Sequence, residues 1–267
     1  MAGTLEANSA SPNFGSADYC CLEHAVLECI GAPVVVHADE AVLYANAAAR
    51  AFFDDALTVE TPDGSLASSG LERASADRRR FILGSGSTVG DVTLTVVGSK
   101  PDETRTVSSR GIPIAYGADR QAVLQLMLAV DGLPTSAYEI QPLDPSEQIA
   151  GACHECVHQA AYDALPFSTT IIDNTTIRRA SNGFRRRVAA PESFRDVPTG
   201  TFVHPDFIQA AQQRRHLVID LGAPVTGASV KLRALDAVDV YLMIDACHVE
   251  YEGSPYMVTV ALHSKRV

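Results

Sequence analysis

One local pattern occurs twice in this chain, and it limits the folds the chain can adopt. Pro33 opens an apolar run (VVVH), an acidic turn follows at Ala38-Asp39-Glu40, and a second extended run leads through Asn46 into a helical stretch. Pro166 opens the same order: an apolar run, a turn at Asp173-Asn174, a second run, then Asn182 and a helical stretch. The prolines lie 133 residues apart and the asparagines 136. That period is too long for a solenoid unit, and it fits two tandem domains in 267 residues, each large enough for its own core.

Charge and hydropathy narrow the classes. A net charge of −11 argues against a nucleic-acid binder, which needs a basic face. Two triplets, Arg78-Arg79-Arg80 and Arg185-Arg186-Arg187, are read as solvated helix surface, because three successive helical residues point in different directions. No apolar run reaches the ~18 residues of a membrane span. The longest, 122–130, is interrupted by Gln125 and reads as a buried strand. The N-terminus has neither a basic nor an apolar region, so no signal peptide is read there. Residues 1–16 read as a disordered lead-in and the protein as cytoplasmic, with no membrane insertion.

The same elements then recur in the same order. Residues 17–31 space Tyr19, Leu22, Val26 and Cys29 as one stripe of an amphipathic helix ended by Gly31. Two strands follow, 34–37 and 41–44, then a helix capped by Asn46, a helix over 71–83, and strands over 91–97, 104–114 and 121–130. Residues 132–147 hold three prolines and read as a linker. Beyond it come a helix over 147–164, two strands, an Asn182-capped helix, a helix over 207–219 started by Pro205-Asp206, and strands over 225–234, 238–248 and 257–263. The expected architecture is α+β, with antiparallel strands on both sides of a helical insert.

In this order, twice, these features resemble tandem PAS domains over nearly all of residues 17–265. The second copy carries more of the pattern: the strand ending at Asp173, Asn182, His204-Pro205-Asp206, the following helix, and the turn Gly253-Ser254-Pro255. The first copy keeps the strands and Asn46 but lacks the His-Pro-Asp element. The resemblance implies PAS-like domains at 17–131 and 148–267. Each would be a five-stranded antiparallel sheet with helices on one face, cupping a pocket and preceded by an amphipathic helix. It also implies a sensory, signal-transducing role rather than an enzyme, with any ligand expected in the second copy and pairing in the first. No output domain is read in the sequence, so the signal is expected to pass to a partner chain. A homodimer through the leading helices is expected, because each has an apolar stripe to bury.

Cofactor chemistry is sparse. The resemblance would place a flavin-reactive cysteine in mid-domain, and no cysteine lies between Cys29 and Cys153 or between Cys156 and Cys247, so covalent flavin photochemistry is not expected. Haem-binding relatives use a helical histidine, for which His216 is the candidate, although it falls opposite the apolar face of its helix. The six cysteines are the most unusual chemistry. Cys20, Cys21, His24 and Cys29 accompany the first leading helix, and Cys153, His154, Cys156 and His158 the second. Cys153, Cys156 and His158 are the metal candidates, since residues at i and i+3 share a helix face and thiolate with imidazole suits zinc. A four-ligand site would require the two helices to meet. The competing reading is that these cysteines pack as small hydrophobes. The runner-up function is therefore a metal- or redox-responsive switch on the two leading helices.

Overall fold

The structure is a computed structural model that describes residues 21–38, 41–52, 71–97, 104–117, 120–130, 156–191 and 193–267. The expected lead-in, the linker, Cys20, Cys153 and His154 lie outside the described residues. In chain order the first half holds α1 (Leu22–Glu28), β1 (Val34–Ala38), β2 (Ala41–Ala45), α2 (Ala47–Phe52), α3 (Leu71–Ser85), β3 (Val89–Val97), β4 (Thr104–Tyr116) and β5 (Arg120–Val130). The second half holds α4 (Val157–Asp163), β6 (Thr169–Asp173), β7 (Thr176–Ala180), α5 (Asn182–Arg187), β8 (Val197–Pro198), α6 (Ile208–Arg215), β9 (Val225–Arg233), β10 (Asp239–Tyr251) and β11 (Ser254–Arg266). Both sheets are antiparallel, in the orders β2-β1-β5-β4-β3 and β8-β7-β6-β11-β10-β9. The α+β expectation holds, and the second sheet gains a two-residue sixth strand at its edge.

The true internal register is 135 residues. It relates α1 to α4, β1 to β6, β2 to β7, α2 to α5 and β4 to β10, each pair with identical lengths. Neither the proline offset nor the asparagine offset survives, because backbone hydrogen bonding sets the equivalence rather than residue type. Asn46 Oδ1 accepts from Val34 N at 2.9 Å and from Ala49 N at 2.9 Å. In the second half those acceptor bonds are made by Ser181 Oγ, from Thr169 N at 3.0 Å and Phe184 N at 3.4 Å. Ser181 is thus the cap, and Asn182 is the first helical residue.

The leading helices are shorter than their apolar spacing predicts. Cys21 (φ −162°, ψ 165°) and Cys156 (φ −135°, ψ 161°) are extended N-cap residues, so helix begins only at Leu22 and Val157. Cys156 is thus an extended residue ahead of α4, and the expected Cys153–Cys156 helix face lies outside the described residues. The helix expected over 207–219 is in fact a 3₁₀ turn (Pro205–Phe207), α6, and a π-helical turn (His216–Asp220). His204 Nδ1 accepts from Asp206 N at 3.3 Å, which makes the His-Pro-Asp element a helix start. The hairpin joining β10 and β11 turns on Glu252 (φ 49°) and Gly253 (φ 70°), a two-residue turn whose left-handed backbone matches strand twist. Ser254 and Pro255 already belong to β11.

Helices cover both faces of the sheets, not one. In β1, Val34 and Val36 enter a core with α1, while Val35 and His37 are buried on the other side. The same alternation sends Ile171 and Val258 into that core and Ile172 and Met257 into a second core with Phe184, Phe194 and Phe202. Strands buried on both faces read as continuous apolar runs, which is what VVVH is. The first core spans the two halves: α1 packs on α4, α1 reaches β10, and α4 reaches β4. The apolar stripes that motivated a homodimer are thus covered within a single chain.

One close approach limits the second half. A Cβ on Gly183 would lie 2.4 Å from the backbone of Pro166 and Phe167, and Gly183 N donates to Leu165 O at 3.0 Å. Backbone cannot move aside as a side chain does, so Gly183→Ala is expected to cost about 3 kcal/mol or more. Thermal unfolding of the variant checks this, and a melting temperature within a degree of wild type would contradict it.

Candidate functional site

Two sites emerge, one where the halves meet and one inside the second half. At the helix pair, Cys21 Sγ lies 3.4 Å from Cys156 Sγ, and the ligand atoms of Cys21, Cys156 and His158 all fall within 4.8 Å of one another. His24 stacks on the His158 ring at 4.1 Å and 12°, and Tyr44 meets both rings edge-on. The structure thus brings Cys156 and His158 together, and supplies Cys21 and His24 from the other leading helix. Sequence reading placed those residues on the first helix but could not set them against the second, because the contact crosses 135 residues.

The electrostatics of the pair are asymmetric. Donation from the Cys21 thiol holds Cys156 well below the ordinary thiol range, against its burial, with help from His158 and the first-turn N–H groups of α4. Cys21 is pushed up correspondingly, by that same bond and by burial. An N-cap position next to helix N–H dipoles is where a thiolate is stabilised. Burial, followed by the charge of His158, lowers His24, which therefore stays neutral near pH 7. Cys29 and Cys247 are a second pair of neighbouring free thiols across the halves, whose mutual interaction raises Cys29 and lowers Cys247.

Charged anchors flank the thiols. Glu28 accepts from Tyr44 Oη and Ala47 N, both at 2.9 Å, and pairs with Arg50 at 2.8 Å. On the other side Arg179 of β7 reaches Glu23 of α1 at 3.1 Å and Asp163 of α4 at 3.3 Å, with all three side chains nearly buried. In the 135-residue register Asp163 and Arg179 are the counterparts of Glu28 and Tyr44, so one joint is built twice with different residues.

The second site is a cavity of about 330 Å³ between the sheet and α5–α6. Its walls are mainly apolar, including Ile172, Phe184, Phe202, Leu242 and Ile244. Polar groups intrude at few points. Thr170 and Thr259 share a 2.6 Å hydroxyl bond, and Arg214 and Arg215 enter from α6. Strand pairing aligns Ile172, Ile244 and Thr259 with His37, Ser109 and Gln125 of the first half. There polar side chains bond across the corresponding positions: Gln125 Nε2 donates to Ser109 Oγ at 2.9 Å, and Arg78 donates to Ser109 O at 2.8 Å. His37 is held neutral, pushed down to about 3 by burial and then by the charge of Arg79.

His216, the haem candidate, lies outside that cavity. It is 59% exposed on the π-helical turn, with Nδ1 2.7 Å from Asp220. The arginine triplets are not uniformly solvated either. Arg79 and Arg187 are buried, because successive helical positions differ by about 100° and one of three must face inward.

No protein-family model matches the chain, and no curated protein matches it. Among solved structures, the PAS domain of an HTR-like protein from Haloarcula marismortui is 13% identical with a TM-score of 0.32, covering 41% of this chain and 88% of its own. The DhaR(N)–DhaL complex of E. coli is 9% identical with a TM-score of 0.29, over 88% of this chain and 80% of that one. An RNA-binding light-oxygen-voltage receptor is 9% identical with a TM-score of 0.34, over 87% and 93%. At such scores these likenesses say nothing of what the chain binds. No helix among the described residues is long and apolar enough to cross a membrane.

Proposed function

We propose that the chain is a regulatory sensor, not an enzyme, built of two PAS-like domains at 17–131 and 148–267. The second-half cavity takes a small molecule, and the helix pair carries the response to a partner chain. The observation that carries this reading is the placement of one sheet between the two sites. Ile172 and Met257 line the cavity, while their chain neighbours Ile171 and Val258 pack under the helix pair. A ligand that shifts β6 or β11 must therefore strain the packing beneath α1 and α4, since close-packed interiors transmit displacement rather than absorb it. The size and mainly apolar lining are those of a small-molecule site.

Native mass measurement and hydrogen exchange test the reading. The expected result is a small molecule held by the chain, with altered protection in residues 22–28 and 157–163 when it is removed. A filled cavity that leaves those segments unchanged would sink the signalling route.

A second reading, a metal-responsive joint, is favoured by the convergence of Cys21, Cys156 and His158. A tetrahedral zinc ion with Zn–S near 2.3 Å holds its ligand atoms roughly 3.5–4 Å apart, a spacing these three groups nearly have. The lowered Cys156 thiol is already suited to ligation. Zinc added to metal-free protein is expected to bind one ion per chain and raise the melting temperature. Cys156→Ser should abolish both effects, and equal zinc uptake by the variant would remove the reading.

A further inference from the structure

We propose that the ligand of the second-half cavity is a small carboxylic acid, with its apolar body among Ile172, Phe184 and Leu242 and its carboxylate on Arg214. This rests on the cavity being a ligand site, and it names the class of ligand. Arg214 is only 8% exposed, yet it lines the cavity. Among the described residues no hydrogen bond or ion pair engages its guanidinium. Its neighbour Arg215 is different, since Nη1 donates to Asn174 Oδ1 at 2.6 Å.

A guanidinium does not shed its charge in a protein, so a buried one calls for an anion. Burial is the only influence acting on Arg214, and it lowers its proton affinity with no anion opposing it. The cavity supplies no carboxylate of its own among the described residues that line it. A planar carboxylate fits the guanidinium fork with two parallel bonds. Most of the wall is apolar, with Asn174, Thr175, Thr199 and Gln212 as its other polar residues, so the remainder of the ligand is mainly apolar as well. Arg215 brings a second positive charge to the wall, since its bond to the neutral Asn174 leaves that charge in place, so the phosphate arm of the titration below separates a monoanion on Arg214 from a dianion spanning both arginines. A cavity of about 330 Å³ lies at the lower end of the range for small-ligand sites. The ligand is correspondingly small, such as a phenyl-substituted propanoic acid or a medium-chain fatty acid. The Thr170–Thr259 pair retains one hydroxyl hydrogen to donate, offering a second polar contact in the same wall.

Calorimetric titration of the full chain decides the matter. The probes are 3-phenylpropanoic acid and octanoic acid, each beside its own primary amide, with octyl phosphate as a further arm. The acids are expected to bind at least tenfold more tightly than the amides, as loss of a charged hydrogen bond implies. Arg214→Met should bring acid and amide to the same affinity. Without ligand it should melt no lower than wild type, because the uncompensated charge is gone. Equal binding of acid and amide to wild type would overturn the carboxylate assignment while leaving the ligand-sensing reading in place. Tighter binding of octyl phosphate would overturn it in favour of a phosphate. Binding of none of the probes would overturn both. If Arg214→Met does not fold, the wild-type acid–amide comparison still decides.

Discussion

Asn46→Ala is expected to destabilise the chain by about 3–5 kcal/mol, a large part of the 5–15 kcal/mol that holds a typical domain together. Asn46 is fully buried and makes five hydrogen bonds. Its Oδ1 receives Val34 N and Ala49 N, tying β1 to the start of α2. Its Nδ2 donates to Leu27 O, Ile30 O and Ala32 O at 2.9–3.1 Å, holding the end of α1. Alanine leaves up to four buried backbone groups unpaired, since Leu27 O keeps its bond from Ile30 N. Asn46→Ser makes the test sharper, because serine is what the second half uses. Ser181 receives two N–H groups and donates to Phe167 O at 2.7 Å. Serine at 46 should therefore recover the acceptor bonds and about half the loss. Urea unfolding followed by circular dichroism gives the numbers, and a loss under 1 kcal/mol for Asn46→Ala would contradict the account.

Arg179→Met is the second large effect, with an expected loss of about 3–5 kcal/mol at pH 7, the range for removing one partner of a buried ion pair. Arg179 lies between Glu23 of the first half and Asp163 of the second, on a strand whose Ile177 lines the cavity. Without the guanidinium, two nearly buried carboxylates lose the cation they share. Urea unfolding measures the loss, and one under 1 kcal/mol would mean that the joint is not a charge clamp. Hydrogen exchange in the variant should also rise in α1 and α4, since Arg179 is one of the ties between the cavity-bearing sheet and that pair.

Much of the path of the chain was legible in its residues. The apolar run VVVH, a turn read at Asp173-Asn174, a turn read at Gly253-Ser254-Pro255 and Pro205 at a helix start are local signals, and each lies within a residue or two of the element it announces, the turns falling at Asn174-Thr175 and Glu252-Gly253. The register was not legible. Asn46 and Asn182 share a residue type, while Asn46 and Ser181 share a hydrogen-bonding role, and only the neighbouring backbone distinguishes the two. For the same reason the cavity was invisible. Ile172, Ile244 and Thr259 line it at the positions that His37, Ser109 and Gln125 hold in the first half, a comparison that needs strand pairing. On the helix expected over 207–219, the resemblance singled out His216, which the wheel set opposite the apolar face, and Arg214 was passed over. The helix changes to π geometry after Arg215, and nothing in an arginine's type announces that it is buried.

Short-range chemistry alone settled where most of the described strands lie and that thiols and imidazoles accompany both leading helices. Those properties depend on a few consecutive residues and their backbone. Tertiary packing decided that the two helices meet inside one chain, that Cys21 faces Cys156 across 135 residues, and that the second half holds a cavity against α5 and α6. Such contacts depend on how two separate runs of sequence share a volume, and that volume exists only after both have folded.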